Sequence, residues 1–386
     1  EAEAHADDAD LAYRAGIAAL DAGQVPQAII AFQRALALRP DHAQARAEIA
    51  RAYAMAGDVD TARAQFDTVL ADPSLPDPVR QRFTAIVADL DRKISGKGQN
   101  VSGFLDASAG HDSNVNSATS LTQVTIPIFA VFGPGTLSGA ARAIDDSFSE
   151  VRGGISAVEG VARDDRVFAS ALGGYRGNGH SRQFNQADAT VTMGFAHTLG
   201  NRDTLSLAGQ VQQFWLGDRS YRQTYALVGQ YTHPLPGGRA LALTGQYARL
   251  HYQNQPLYSV HHLALGASYA TRHWVLAGDI GREIAETNST EGNWFANLSL
   301  AAEQPVSPRL ALTGALSAGA RHNSQPDTLF LVQRQDWRLD ASAGLKVLLT
   351  PVVSLRPRVS YTHNSSNIPL YDFDRWTATA GLHAEF

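Results

Sequence analysis

The sequence predicts an α plus transmembrane β chain: a helical solenoid over residues 1–95, a linker at 96–100, and a 14-stranded antiparallel barrel over 101–386. Three observations predict it. Residues 1–100 hold 25 alanines and only five aromatic residues, whereas the rest of the chain holds all five tryptophans and 28 of the 33 glycines. A 34-residue spacing recurs in the first part. A two-residue hydrophobic alternation runs through the second.

The first part is built on repeats. Gly23 recurs as Gly57, Ala28 as Ala62 and Phe32 as Phe66, each 34 positions on, with Gly16, Ala35 and Pro40 around the first copy and Ile49 and Tyr53 in the second. Small residues let paired helices approach closely, and the two phenylalanines fill the groove between them, so these positions are packing residues of a tetratricopeptide-like pattern. Helices are predicted over Asp10–Ala22, Pro26–Leu38, His42–Ala56 and Val59–Leu70. Pro26 suits a first helical turn. Val79, Phe83, Ile86 and Leu90 share a helical spacing after Pro73, Pro76 and Pro78. The concave face of such a solenoid binds extended partners, and two copies make a small docking platform.

Ser95–Asn100 is polar and turn-rich, and beyond it the period changes. Fourteen alternating segments are predicted: 101–110, 147–159, 166–176, 184–198, 204–216, 221–233, 239–252, 258–271, 273–284, 293–304, 309–322, 334–349, 352–364 and 373–386. Leu205, Leu207, Gly209, Val211 and Trp215 share one face, opposite Ser206, Gln210 and Gln212. Tyr221, Tyr225, Leu227, Gly229 and Tyr231 alternate in the same way with Arg222, Thr224, Gln230 and Thr232. An even number of long strands, apolar outside and polar inside, is the signature of an outer-membrane barrel. A soluble sandwich has shorter strands and keeps its glycines mainly in turns, whereas Gly209, Gly229, Gly245, Gly266 and Gly314 fall inside segments.

Tight links at Leu199–Asp203, Pro234–Gly238, Thr271–His273, Pro305–Pro308 and Thr350–Pro351 alternate with longer ones, notably 111–146, 285–292 and 323–333. With short turns on the periplasmic side, both ends of the barrel, and the helical domain, are expected there. Trp215, Tyr221, Tyr231, Trp274, Trp294, Trp337 and Trp376 gather toward segment ends, where amphipathic rings suit a membrane interface. The run from Trp376 through Leu382 to Phe386 resembles the terminal-strand signal read by the barrel insertion machinery.

Charged side chains are costly against lipid, so the lumen is the expected location of Asp106, Glu150, Arg152, Asp188, Arg222, Asp279, Arg338, Asp340, Lys346, Arg356, Arg358 and Arg375. Of these, Asp106, Arg152, Arg338, Arg356, Arg358 and Arg375 are candidates to contact a substrate in the lumen. Ion-pair ladders that brace the wall are the plainer reading.

The first barrel segment runs into Gly110-His111-Asp112-Ser113-Asn114-Val115-Asn116. Asp112, Asn114 and Asn116 can shape a turn through their own backbone, or position the long loop 111–146 at the pore mouth. That loop carries the apolar run Val124 to Phe132, which must pack in the mouth, meet a partner or touch lipid.

Repeat helices, the Asp-Ser-Asn-Val-Asn element and a fourteen-segment barrel ending in phenylalanine together resemble the surface lipoprotein assembly modifier (Slam) family, over the whole chain. The resemblance implies an outer-membrane translocon that assists surface display of lipoproteins or export of related secreted proteins, with no cofactor. It implies a client protein, a periplasmic chaperone, the insertion machinery and outer-membrane lipid as partners. The helical part is shorter than in many relatives.

Composition narrows the alternatives. The absence of cysteine excludes disulfides, thiol nucleophiles and zinc-thiolate sites. No apolar run is long enough for a helical span. The balance of 32 basic against 37 acidic residues argues against nucleic acid. No hydrophobic signal segment precedes Glu1, as expected of a mature chain or a cytosolic one. An exopolysaccharide exporter or a porin-like channel stands as an alternative. A hydrolase around His180 and Ser181 is less favoured, as is a metal or haem site at His251, His261 and His262.

Overall fold

The computed structural model describes residues 8–40, 42–56, 58–70, 79–81, 83–84, 86–87, 90, 99–287 and 290–386. The chain divides into two compact units, with the change in sequence at Gln99 and Asn100.

In the first unit, helix α1 spans Ala9–Asp21, α2 Val25–Leu38, α3 Ala43–Ala56 and α4 Val59–Leu70. Asp8 caps α1, its carboxylate accepting the backbone N–H of Asp10 at 2.9 Å and of Leu11 at 3.2 Å. Gly23, at φ 71°, supplies the left-handed turn between α1 and α2. Phe32 is fully buried among Leu20, Ala28, Ile49 and Ala52, and a Cβ on Gly16 would overlap its ring. Phe66 does the same work one repeat later, packed with Ala50, Ala62, Val87 and Leu90 and 5.4 Å from the ring of Phe83. Gly57 and the prolines at 73, 76 and 78 lie outside the described residues.

The second unit is an antiparallel sheet closed on itself. Its strands are β1 Gln99–Asp112, β2 Gln123–Val124, β3 Gly135–Thr136, β4 Asp146–Gly160, β5 Asp165–Asn178 and β6 Gln186–Thr198. They continue as β7 Thr204–Leu216, β8 Arg219–Leu235, β9 Arg239–Tyr252, β10 Val260–Ala270, β11 Trp274–Ala285 and β12 Asn293–Ser307. The last are β13 Leu310–Pro326, β14 Gln333–Leu348, β15 Val353–Leu355, β16 Arg358–Ser366 and β17 Phe373–Glu385. β2 and β3 pair only with each other.

Each remaining strand pairs with its neighbours in sequence, and β1 pairs with β17 from Phe104↔Glu385 to Asp112↔Thr377 to close the barrel. β15 and β16 are two halves of one stave, making fourteen staves in all. The break falls at Arg356 and Pro357, because Pro357 has no N–H to donate. The backbone bridges the gap with Arg356 N–H donating to Gly381 at 2.8 Å and Leu345 N–H donating to Pro357 at 3.0 Å.

Closure satisfies every sheet edge, and the face turned away from the lumen carries exposed Leu205, Leu207, Val211, Leu243, Leu265, Ile280, Leu298 and Leu316. An apolar outer face on a barrel without edges is a membrane-spanning wall. At one pole the links are short, at 161–164, 199–203, 236–238, 271–273, 308–309 and 349–352. At the other they are 113–145, 179–185, 217–218, 253–259, 286–292, 327–332 and 367–372. The exception at that pole, 217–218, is a two-residue hairpin with positive φ at both Gly217 and Asp218.

Three local expectations need correction. Residues Arg182–Phe184 and Pro256–Tyr258 form 3-10 turns, so the strands predicted from 184 and 258 begin at Gln186 and Val260. Tyr221 leaves the outward row of Tyr225 and Leu227. A register shift at Phe214 and Trp215 turns its ring edge-on to Tyr252, 5.3 Å away.

Candidate functional site: the lumen and its mouth loop

The neck of the long loop is assembled around Asp112, a fully buried carboxylate at the end of β1. Arg375 of β17 grips it with Nε at 2.9 Å and Nη2 at 2.5 Å, and Arg176 of β5 adds a bond at 2.5 Å. Arg176 also lies over the ring of Phe148, 3.6 Å from its centroid. The Asp112 carboxylate accepts the backbone N–H of Asn114 at 3.0 Å, so one side chain joins three staves to the start of the loop.

Asn114 and Asn116 use both ends of their amides. Asn114 donates to the carbonyls of Ala118 at 2.8 Å and Asp374 at 3.0 Å, and its oxygen accepts from Ala118 at 3.0 Å. Asn116 donates to the Arg142 carbonyl at 2.7 Å and accepts from Ile144 at 3.1 Å, pinning the two ends of the loop together. A carboxylate at either position would lose the donor half of this arrangement.

Above the neck the apolar run divides. Val124 is buried with Phe330 and Ile368, and Ile126, Leu137, Leu370 and Tyr371 pack around them, so the loop rests on the links 327–332 and 367–372. Val131 and Phe132, at the end of a 3-10 turn, remain 87% and 83% exposed.

Inside the barrel the charged residues form short ladders. Arg152 reaches from β4 to Asp188 on β6 at 2.6 Å, and it can cross β5 because Gly174 lies beneath its guanidinium. Glu150 stands 3.6 Å from Arg152. Arg338 pairs with Asp340 at 2.8 Å, Lys346 with Glu303 at 3.2 Å and Arg356 with Glu385 at 3.3 Å. Asp106 meets His383 at 2.7 Å across the β1–β17 seam, and the other ring nitrogen of His383 meets Glu385 at 2.8 Å. Arg358 donates to Ser342 at 2.7 Å, and Asp279 accepts from Asn297 at 3.0 Å. Arg222 bonds Gln212 at 3.3 Å and lies between the rings of Phe214 and Tyr252.

These side chains do not fill the lumen. A cavity of about 460 Å³ borders Asp106, Arg152, Arg356, Arg358 and Arg375. A second, of about 450 Å³, borders Asp279, Glu283, Asp336 and Arg338 together with Ser117 at the root of the loop. Eight strands make a barrel that side chains just fill, so fourteen leave room for a passage.

The catalytic and metal alternatives gain no geometry. His180 and Ser181 both turn to Asp146, which accepts their backbone N–H groups at 2.8 and 2.6 Å and the imidazole at 3.2 Å. This caps the loop, with no histidine placed between serine and carboxylate as a triad requires. His261 and His262 face opposite sides of β10: His261 bonds Tyr247 at 2.9 Å on the outside, and His262 stacks on Phe295 at 4.8 Å inside. Among the described residues no cluster of three or more His, Asp or Glu side chains suits a metal ion.

Sequence reasoning missed Arg176, His383 and Glu385. Each lies on the polar parity of its strand, but nothing in the spacing tells which partner a luminal charge meets across the sheet. Of the residues at the terminal strand, Trp376 and Leu382 are exposed on the outer face, and the backbone of Phe386 exchanges hydrogen bonds with Gly103.

The fold and the polar lumen define a class, an outer-membrane β-barrel protein. Residues 13–76 match the tetratricopeptide repeat family. No curated protein matches the chain in sequence. Among solved structures, the chain is similar to the outer membrane protein opdK from Pseudomonas aeruginosa, at 9% identity and TM-score 0.41, over 75% of this chain and 99% of that one. OccAB3 from Acinetobacter baumannii aligns at 7% identity and TM-score 0.40, over 74% of this chain and 100% of that one. The COG4313 outer membrane channel from Pseudomonas putida F1 aligns at 13% identity and TM-score 0.35, over 75% and 97%.

Proposed function

We propose that the chain is an outer-membrane translocon that assists surface display of lipoproteins or export of related secreted proteins. In this reading the repeat helices lie in the periplasm and dock a client or its chaperone, and the barrel gives the client a path outward. The observation that carries the reading is the mouth: a loop pinned by Asp112, Asn114 and Asn116 over a lumen that still holds cavities of about 450 and 460 Å³. A loop held at its neck and free at Val131 and Phe132 is suited to meet an emerging apolar segment. The work is non-covalent, carried by positioning and by side chains along the wall.

The absence of native cysteine makes the test clean. A single cysteine is placed at Ser360, which borders the luminal cavity of about 460 Å³, and carries a photo-crosslinker. The full chain is co-expressed with a lipoprotein from the same genome. Adducts from Ser360→Cys, and none from a cysteine at outward Leu207, support passage through the lumen. A general channel predicts steady ion conductance in planar bilayers and no adduct, and that result would replace the translocon reading.

A further inference from the structure

The outer wall carries a built feature near the loop pole that has no part in lining the lumen. Strand register places Tyr247, Leu263, Arg282, Trp294, His322 and Gln335 in one outward row across β9 to β14. The row is outward because exposed Leu265, Ile280 and Leu298 share its face.

Arg282 is the cation of that row. Among the described residues no carboxylate pairs with it, and its guanidinium lies 5.1 Å from the centroid of the Trp294 indole. One outward step toward the midplane, Ala296 pairs with Ala320, between Ile280 and Trp337. The small side chains leave a groove of about 270 Å³, walled by Trp294 and Trp337 and bordered by His322 and Gln335.

Height follows from the same strand. Trp274 opens β11 at the tight-turn end and Arg282 stands eight positions further along. At about 3.4 Å per residue and a tilt of about 40°, that is roughly 20 Å across the membrane, close to the height of an outer-membrane apolar band. Arg282 therefore stands at the headgroup rim, where a guanidinium meets phosphate oxygens as a fork. Indole rings flanking an alanine floor leave room for a chain of methylenes beneath that rim.

We propose that this arc binds a phosphate-bearing membrane lipid, with the headgroup phosphate on Arg282 and an acyl chain in the groove between Trp294 and Trp337. His322 and Gln335 supply polar contacts beside the headgroup. The site depends on the barrel spanning a membrane and is independent of what crosses the lumen.

The test uses the full chain in detergent micelles, titrated with phosphatidic acid or diacylglycerol carrying brominated acyl chains, with tryptophan fluorescence as the readout. Phosphatidic acid is expected to quench saturably, and Arg282→Ala to weaken its half-saturation about tenfold, the loss of one charge-assisted contact. Ala320→Leu, which fills the groove from the lipid side, is expected to weaken binding while Arg282 is intact, and Trp294→Phe to remove part of the quenched signal. Heat-modified gel mobility confirms that each variant is folded. Equal quenching by the two lipids, or an unchanged titration in folded Arg282→Ala, overturns the proposal. Full displacement by inorganic phosphate in excess would mark a free-phosphate site and overturn it as well.

Discussion

At the scale of the residue, Asp112 shows how one buried group can hold a pore mouth. Its carboxylate answers two guanidiniums, from residues 64 and 263 positions away in sequence. Removing one partner of a buried ionic cluster leaves uncompensated charge, so Asp112→Ala is expected to cost about 3 kcal/mol in urea unfolding of the reconstituted barrel. Asp112→Asn keeps an acceptor for the Asn114 N–H and is expected to cost less. The Asp112–Asn116 element was legible from its turn-forming residue types, but its arginine partners were not, because luminal pairing depends on strand stagger.

A second carboxylate gives a pH dependence. Asp203, in the tight link 199–203, is held below the usual carboxylate range chiefly by the hydroxyl of Tyr231, against an opposing effect of burial, with His233 and Asn201 adding. His233 approaches it at 2.6 Å and Asn201 donates to it at 2.7 Å. A depressed folded-state pKa means that this stabilisation is complete above about pH 4, the unfolded carboxylate value, and is lost as pH falls through the folded value. The protection factors of the 199–203 amides, taken against the intrinsic exchange rate at each pH, should hold steady above about pH 4 and fall in acid, and Asp203→Asn should remove that step. A pH-independent protection factor in the native chain would contradict this.

At the scale of the element, the loop 113–145 and the repeat helices make separate predictions. Asn116 ties residue 116 to residues 142 and 144, so Asn116→Ala is expected to speed amide exchange at the loop neck while the strands stay protected. Phe32 fills the first repeat, and Phe32→Ala is expected to cost about 3–5 kcal/mol in the helical unit, read as loss of helical circular dichroism on heating. The 34-residue period made both phenylalanines readable, because small residues and rings recur together. The break between β15 and β16 was also written in the sequence, as Pro357 inside an alternating run, yet the alternation of neighbouring residues masked it. The small β2–β3 hairpin had no such signal, since its stability comes from the loop folding on Phe330 and Ile368.

At the scale of the whole molecule, strand number and spacing were legible because lipid outside and water inside impose a two-residue period on every stave. What passes through the barrel was not legible, since a lumen of mixed charge is compatible with several cargoes. The proposed translocon joins a helical docking unit to a passage for a protein client. The most direct measurement is protease accessibility of a co-expressed lipoprotein from the same genome on intact cells, with and without this chain. The account predicts that the lipoprotein is digested from outside only when the chain is present, and less so when residues 113–145 are replaced by a short flexible link. Equal digestion with and without the chain would contradict it.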